Sequence, residues 1–276
     1  MKKVLNVFLV LVVMVALFFG GYYLSNYEDK KTKKTMANSN ITTKEKNQKL
    51  DVNNSEVTRL FNRLNTIDDT MTALNISDDL YEDYAGYFYS KDKITSDKVS
   101  DEVKYIVSYM ELGIEDEIKK LSISNQENYK IAKATIDAVS KKIFGYGITN
   151  NINVLINNYA FKTDETYYTT EKKEKIESEA EVKVYTKIVS ASKIGNTIEI
   201  ISKPCFELIT FGDEHSLYKN IDGNKSELYG LNNKITDLAV NENVNIDSYL
   251  SSLDSYKWVF TKNGDNYVFS SVEKIG

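Results

Sequence analysis

The sequence predicts an α+β fold: an N-terminal transmembrane helix, a polar stalk, and then helices packed on a curved antiparallel sheet. Apolar residues recur at helical spacing from 53 to 147 and alternate with polar residues from 148 to 276. The third observation is an apolar run from Val4 to Leu24 in which Asn6 is the one strongly polar residue. The predicted parts are residues 1–24 as cytoplasmic tip and transmembrane anchor, 25–52 as flexible basic stalk, and 53–276 as soluble α+β domain (helical part 53–147, sheet part 148–276).

The apolar run at residues 4–24 has the length of a membrane span. As a helix it extends roughly 31 Å, which matches the ~30 Å hydrocarbon core of a bilayer. The alternative is a cleaved secretory signal, which needs small residues before the cleavage site. Cleavage after Gly20, Gly21 or Ser25 would place Phe18, Phe19 or Tyr23 at the −3 position. The run therefore predicts an anchor that is not cleaved.

The lysines beside this span leave two orientations open. The four lysines Lys30, Lys31, Lys33 and Lys34 outnumber Lys2 and Lys3, and a positive-inside count would keep the body in the cytoplasm. A short basic tail before a first apolar segment is, however, the usual form of a signal anchor. We therefore predict a single-pass protein of the cell membrane with an extracytoplasmic body.

The charge of the chain differs between stalk and body. Residues 1–52 hold nine lysines and four acidic residues, a net charge of +5, whereas the remaining 26 basic and 36 acidic residues give −10. Nucleic-acid binding needs a basic patch that neutralises phosphates, so the acidic body predicts no nucleic-acid partner. Abundant Lys, Asn and Ile with only two arginines indicate an AT-rich bacterial genome.

Three helices are predicted in the first part of the body. The first follows Ser55, with a stripe of Val57, Leu60, Phe61 and Leu64. Ser100 caps the second, whose stripe is Val99, Val103, Ile106 and Met110, and Gly113 ends it. The third follows Ser124, with Tyr129, Ala132, Ile136, Val139 and Ile143 on one face, and ends at Lys141, Lys142 and Gly145.

Strands are predicted after Gly147, beginning with Ile152, Val154 and Ile156. A hairpin joins residues 181–194 and 197–209 through a Gly195-Asn196 turn, which would pair Ala191 with Ile200 and Tyr185 with Phe206. Pro204 lacks a backbone N–H, so its strand is expected to be an edge or to contain a bulge. Asp222-Gly223 predicts a further turn, and a short helix is expected at 246–253.

The last predicted hairpin turns at Asn263-Gly264. This register would place Phe260 opposite Tyr267 and Trp258 opposite Phe269. The order of elements, helices first and hairpins afterwards, is similar to that of cone-shaped NTF2-like domains. The resemblance rests on no motif and implies architecture alone.

The only cysteine and the only histidine, Cys205 and His215, raise the possibility of a thiol protease. Cys205 follows a proline within a predicted strand, away from any helix N-terminus that could lower its pKa. A sortase-type transpeptidase needs a histidine before its cysteine and an arginine after it. Here His215 follows Cys205, and both arginines, Arg59 and Arg63, precede it. The arrangement therefore favours a buried thiol over cysteine catalysis.

Other chemistry is weakly indicated. One histidine and one cysteine cannot assemble a His/Cys zinc site. A calcium site made only of oxygen ligands stays open, but the nearest loop, 220–224, lacks the first acidic ligand of an EF-hand and is interpreted as a hairpin turn. No metal and no cofactor are therefore predicted. Acidic pairs could act on a glycan as in glycosidases but are typical of solvated loops. They are Asp68/Asp69, Asp78/Asp79 and Glu115/Asp116/Glu117. The aromatic group between Tyr81 and Tyr89 could stack on sugars, but covering the sheet is the favoured interpretation.

No catalytic, cofactor-binding or metal-binding residue is therefore assigned, and the chain is not predicted to be an enzyme. The predicted function is a membrane-anchored extracytoplasmic module that binds a protein partner or an envelope component. The first alternative is an envelope hydrolase that uses two converging carboxylates. The second is a scaffold subunit of a secretion or conjugation complex.

Overall fold

The computed structural model describes residues 47–68, 71–74, 81–113, 129–173, 180–210, 214–222, 230–239 and 242–276. All of these belong to one compact unit, Lys46–Gly276. The predicted transmembrane helix at 4–24 and most of the predicted stalk at 25–52 lie outside the described residues. Among the described residues, no helix is both long enough and apolar enough to cross a membrane.

Helices and antiparallel sheets make up the described body. The helices are α1 (Ser55–Asn62), α2 (Asp101–Leu112) and α3 (Lys133–Phe144). The strands are β1 (Gln48–Leu50), β2 (Met71–Leu74), β3 (Tyr81–Asp83), β4 (Lys93–Thr95), β5 (Lys130–Ala132), β6 (Asn153–Ile156), β7 (Tyr159–Thr163), β8 (Tyr167–Lys172), β9 (Ala180–Ile194), β10 (Thr197–Thr210), β11 (His215–Ile221), β12 (Leu231–Leu238), β13 (Tyr256–Asn263) and β14 (Asn266–Lys274). Every pairing between them is antiparallel, so the predicted α+β class is confirmed.

The described strands form two sheets, whereas the sequence predicts one. Sheet A has the order β1-β9-β10-β13-β14-β4, with β11 paired to β10 and β12 paired to β11. Sheet B has the order β3-β2-β6-β7-β8-β5. Strands β2 to β5 lie within residues 53–147, so this stretch contributes to both sheets. Three- or four-residue strands are too short to show an alternation in the sequence.

The folded body begins before residue 53. Strand β1 pairs with β9, with Gln48 opposite Lys193 and Leu50 opposite Ala191. This strand lies inside the 25–52 range that the sequence predicts as a stalk. A short polar segment has no strand pattern of its own, and the edge of β9 provides the backbone partners that order it.

The helix ends follow the predicted chemistry. The hydroxyl oxygen of Ser100 accepts a hydrogen bond from the backbone N–H of Val103, and Gly113 ends α2 with a left-handed φ of 63°. Helix α3 ends at Gly145 as predicted, but it begins at Lys133. The residues before it form β5, because the edge of β8 pairs with Lys130–Ala132.

The β9–β10 hairpin turns at Gly195-Asn196, and Ala191 lies opposite Ile200, as predicted. The predicted pairing of Tyr185 with Phe206 is wrong, since Tyr185 lies opposite Cys205. The cause is a β-bulge: Ser190 pairs with Ile201 and Ile188 with Ser202, which leaves Val189 as the extra residue. The bulge shifts the register by one residue over the rest of the hairpin.

Pro204 lies where one edge of β10 changes partner. On that edge β13 pairs with Thr197–Ser202 and β11 pairs with Phe206–Ile209. No described strand pairs with Pro204 from this side, so its missing N–H removes no ladder hydrogen bond. β10 is nevertheless an internal strand, because Pro204 pairs with Thr186 of β9 on the other side, so the expected edge position is wrong. A bulge does lie two residues before Pro204, but its extra residue, Val189, is on β9.

The final hairpin has a different register from the predicted one. Asn263 pairs with Asn266, so Gly264-Asp265 forms the turn. Phe260 lies opposite Phe269, with ring centroids 6.0 Å apart, and Trp258 lies opposite Val272. A second bulge, between Val259 and Phe260, separates these pairs. The predicted aromatic partners are therefore wrong, although the residues of both predicted pairs are buried: Phe260, Tyr267, Trp258 and Phe269.

The main core joins both sheets and the helices. Trp258 of sheet A contacts Phe61 of α1, with centroids 5.3 Å apart. Tyr105 of α2 meets Tyr168 of sheet B at 4.6 Å. Phe144 of α3 meets Phe269 at 6.1 Å. A second, smaller apolar cluster contains Cys205, Leu217, Leu238 and Leu253.

Candidate functional site

Cys205 and His215 lie on neighbouring strands but do not form a dyad. Cys205 lies opposite Tyr185 on β9, and His215 lies opposite Ile209 on β10. Because Cys205 and Ile209 are four positions apart along β10, the two side chains are separated by roughly 13 Å along the sheet. Cys205 is fully buried, and burial followed by the charge of Glu207 raises the pKa of its thiol to about 12. The thiol is therefore neutral at physiological pH, against a nucleophilic role.

Glu207 lies between these two residues on the same face of β10. Its Oε2 accepts a hydrogen bond from the hydroxyl of Tyr185, and its Oε1 lies 2.7 Å from Nδ1 of His215. The glutamate side chain is 4% exposed and that of His215 is 15% exposed. Burial, followed by the hydrogen bond to Glu207, raises the pKa of Tyr185, so the phenol remains a proton donor to the carboxylate.

The Tyr185–Glu207–His215 network has one feature of a general-base site. A carboxylate on Nδ1 of a histidine fixes the tautomer, which leaves Nε2 as an acceptor. Catalysis would also require a nucleophile, a metal or an oxyanion donor within reach. In the described part of the chain, no group of three His, Cys, Asp or Glu side chains is placed to hold a metal ion.

A small apolar cluster lies beside the network and contacts Tyr185. Leu217, Leu238 and Leu253 pack with Cys205, and half-buried residues of the 242–254 segment contribute to the cluster. The three polar groups of the network join β9, β10 and β11. The sequence did not single out Glu207, although its position two residues after Cys205 on a strand places the two on one face.

A groove of about 380 Å³ lies between α3 and the segment 147–149. This volume is at the lower end of the range for ligand pockets. Its walls combine polar and apolar surface in similar amounts, and they are formed by Lys133, Ala134, Asp137, Lys141, Gly147, Ile148, Thr149 and Tyr168. Tyr168 is buried, and burial followed by the charges of Asp137 and Asp101 raises its pKa to about 12.

Asp137 holds one wall of the groove in place. Its Oδ1 accepts a hydrogen bond from the backbone N–H of Ile148 at 3.0 Å, and its Oδ2 forms an ion pair with Lys141 at 2.6 Å. A Cβ at Gly147 would lie 1.9 Å from Asp137 Oδ1. Only glycine therefore lets the chain pass so close to this carboxylate.

Asp101, at the start of α2, holds the chain that follows Gly147 in place. Its Oδ2 accepts hydrogen bonds from Thr149 and Asn150, through backbone and side-chain donors of each, at 2.7–3.1 Å. Its Oδ1 pairs with Lys104 at 3.0 Å, and both side chains are buried. Burial alone would raise the pKa of Asp101, but these hydrogen bonds outweigh it and lower the pKa. The groove is therefore lined by a segment that two carboxylates hold rigidly.

The remaining candidates from the sequence are the aromatic group and the acidic pairs. Tyr84, Phe88 and Tyr89 are buried, and Tyr89 packs on Tyr256 with centroids 5.0 Å apart. The interpretation of this aromatic group as core is confirmed for these three rings. The acidic pairs Asp78/Asp79 and Glu115/Asp116/Glu117 lie outside the described residues, as do Asp69 and part of the loop 220–224.

Comparison with protein-family models, curated proteins and solved structures found no match for this chain.

Proposed function

We propose that this chain is a single-pass membrane protein that holds a non-catalytic binding module on the outer side of a bacterial cell membrane. The apolar run at residues 4–24 and the short basic tail before it support the anchor and its orientation. The NTF2-like order of elements belongs to the same proposal, since α2 and α3 precede the long hairpins of sheet A.

The observation that carries the binding role is the groove between α3 and residues 147–149. It offers polar and apolar groups from helix, loop and strand in one concave place, and Asp101 and Asp137 hold its wall in position by hydrogen bonds within the chain. Preorganised walls reduce the ordering cost of binding. A ligand or a partner loop that carries both polar and apolar groups is the class of molecule that such a lining accepts.

The hydrolase alternative needs one carboxyl group that stays protonated near neutral pH. Among the described residues, the carboxyl groups whose pKa departs from the ordinary value all have it lowered. They are Asp97, Asp101, Glu171, Asp237 and Asp254. None of these five carboxyl groups therefore supplies the protonated acid that the hydrolase alternative requires.

Orientation is tested by labelling with a membrane-impermeant maleimide in intact cells. The native Cys205 is fully buried, so the unmodified chain gives little background. Ser251→Cys, at an exposed turn of the body, is expected to be labelled, whereas Lys3→Cys is expected to react only after lysis. Protection of Ser251→Cys until lysis would place the body in the cytoplasm and overturn the proposal.

The binding role is tested by photo-crosslinking in the same cells. A benzoylphenylalanine at Ala134, which is exposed and lines the groove, is expected to form adducts. The matched control is Lys142 on the same helix, which is exposed and does not line the groove. Equal adduct formation at both positions, or none at Ala134, would exclude the groove as the binding place.

A further inference from the structure

One edge of β9 is open over most of its length. Along its inner edge β9 pairs with β10 from Ala180 to Ile194. On its outer edge, β1 covers only Ala191–Lys193. No other described strand pairs with that edge, so residues 181–190 form a free strand edge within the described residues. A free edge is a template for pairing with another strand.

The backbone direction along this edge follows from the hairpin. The two-residue turn makes Ile194 and Thr197 a hydrogen-bonded pair, after which inward and outward residues alternate. The bulge at Val189 changes this alternation by one residue. Beyond it, the even-numbered residues 182–188 direct their N–H and C=O groups away from β10. The free edge therefore presents regularly spaced donors and acceptors.

We propose that this edge pairs antiparallel with the same edge of a second copy of the chain, about a two-fold axis at Val184. The pairing joins two sheets A into one continuous sheet, an isologous contact of the kind most common in homodimers. It is independent of the groove and of the membrane orientation. If the dimer were disproved, the proposal of an anchored binding module would therefore still stand.

The charges of β9 favour this register over the two adjacent ones. With the axis at Val184, Glu181 lies opposite Lys187 of the second copy, and the symmetry repeats the pair. An axis at Lys183 would place that lysine opposite itself, and an axis at Tyr185 would place Lys183 opposite Lys187. Like charges directly opposite one another destabilise a sheet, and opposite charges stabilise it. The lysines therefore disfavour the neighbouring registers as well as favouring this one.

The side chains needed for the pairing are accessible. Lys183 and Lys187 have 46% and 42% of their side-chain surface exposed, and Glu181 has 44%. Lys183 lies 3.3 Å from Glu181 within the chain, and Lys187 is paired with Asp247. In the dimer Lys187 lies between Asp247 and the second copy's Glu181. The ammonium group therefore gains a second carboxylate partner and keeps the first. The bulge at Val189 ends the regular stretch where β1 begins.

Charge exchange tests the pairing in the full chain. Sedimentation velocity in detergent, over a concentration series, is expected to show a dimer for the native protein. Lys187→Glu and Glu181→Lys each place like charges opposite one another twice, so each is expected to weaken self-association at least tenfold. The double variant Glu181→Lys/Lys187→Glu restores opposite charges and is expected to restore the dimer.

Lys262→Glu is the matched control, because this lysine is exposed on β13 away from the free edge. It is expected to leave self-association unchanged, and far-ultraviolet circular dichroism checks that each variant is folded. A native chain that stays monomeric at all concentrations would overturn the proposal and leave the edge to a strand of another protein. A dimer that persists in both single variants would overturn it as well, because the contact would then lie elsewhere.

Discussion

The indole nitrogen of Trp258 donates a hydrogen bond to the hydroxyl oxygen of Ser202 at 2.8 Å, and neither residue reaches solvent. Ser202 lies two residues after the buried Ile200 on β10, at the last position where β13 pairs with this strand. The regular alternation of β10 thus places a polar acceptor among the aromatic side chains of the core.

Ser202→Ala is expected to lower the free energy of unfolding by about 1–3 kcal/mol, because the indole N–H is left buried without an acceptor. Urea denaturation followed by tryptophan fluorescence measures the change. Ser190→Ala, on the neighbouring strand and half-exposed, serves as the control and is expected to change stability by less than about 0.5 kcal/mol. Equal effects of the two substitutions would contradict the role assigned to the hydrogen bond.

Two buried tyrosines are expected to respond in opposite ways to loss of the hydroxyl. Tyr89 donates to Asn65 Oδ1 at 2.7 Å, so Tyr89→Phe is expected to cost about 1–2 kcal/mol. The hydroxyl of Tyr105 has no hydrogen-bond partner among the described residues, and Tyr105→Phe is expected to be neutral or stabilising. Thermal unfolding of the two variants side by side decides the point, and a loss of stability in Tyr105→Phe would reveal a partner for its hydroxyl.

Asp101 is expected to link stability to acid. Its folded pKa lies below the ordinary value of 3.8, so the unfolded state binds the proton more readily. The stabilisation is complete at pH values above the unfolded pKa of about 4 and is lost as the pH falls through the folded pKa. Asp101→Asn is expected to cost about 3–5 kcal/mol at pH 7, because Lys104 is then buried without its partner. Denaturation between pH 2.5 and about pH 7 is expected to show a smaller acid-induced loss of the free energy of unfolding for Asp101→Asn than for the native chain. An equal loss in both proteins would contradict the role assigned to Asp101.

Gly147→Ala is expected to destabilise the segment beside the groove by about 1–2 kcal/mol, because the added Cβ displaces Asp137 and breaks its hydrogen bond to Ile148. In an Asp137→Ala background the obstacle is gone, and the same substitution is expected to be nearly neutral. A double-mutant cycle by chemical denaturation measures the coupling. Additive effects would show that the carboxylate is not what requires a glycine here.

Features set by neighbouring residues could be predicted from the sequence. Ser100 and Gly113 bound α2 because capping depends on the hydrogen bonds of one turn, and Gly195-Asn196 forms its turn for the same reason. The β-bulge at Val189 could not be predicted, because it depends on how β9 and β10 fit the sheet as a whole. The register error at Tyr185 follows from that single residue.

The candidate sites were hidden from the sequence for a related reason. Glu207 meets Tyr185 and His215 only once three strands are aligned, and Asp101 reaches Asn150 from 49 positions away in the chain. Long-range pairing of this kind leaves no local pattern. The anchor at residues 4–24 depends on composition over a contiguous run, so the sequence alone could propose it.

The gap at Pro204, between the pairing of β10 with β13 and its pairing with β11, also affects the order in which the body unfolds. Beyond that residue, β11 and β12 contribute Leu217 and Leu238 to the smaller apolar cluster, and Ile221 and Leu231 to the edge of the main core. Because β13 pairs with β10 only before Pro204 and β11 only after it, we expect β11 and β12 to open separately from β13 and β14. Amide hydrogens of β11 and β12 are expected to exchange through a local opening at lower free energy than those of β13 and β14, and to report an unfolding step that precedes the global one.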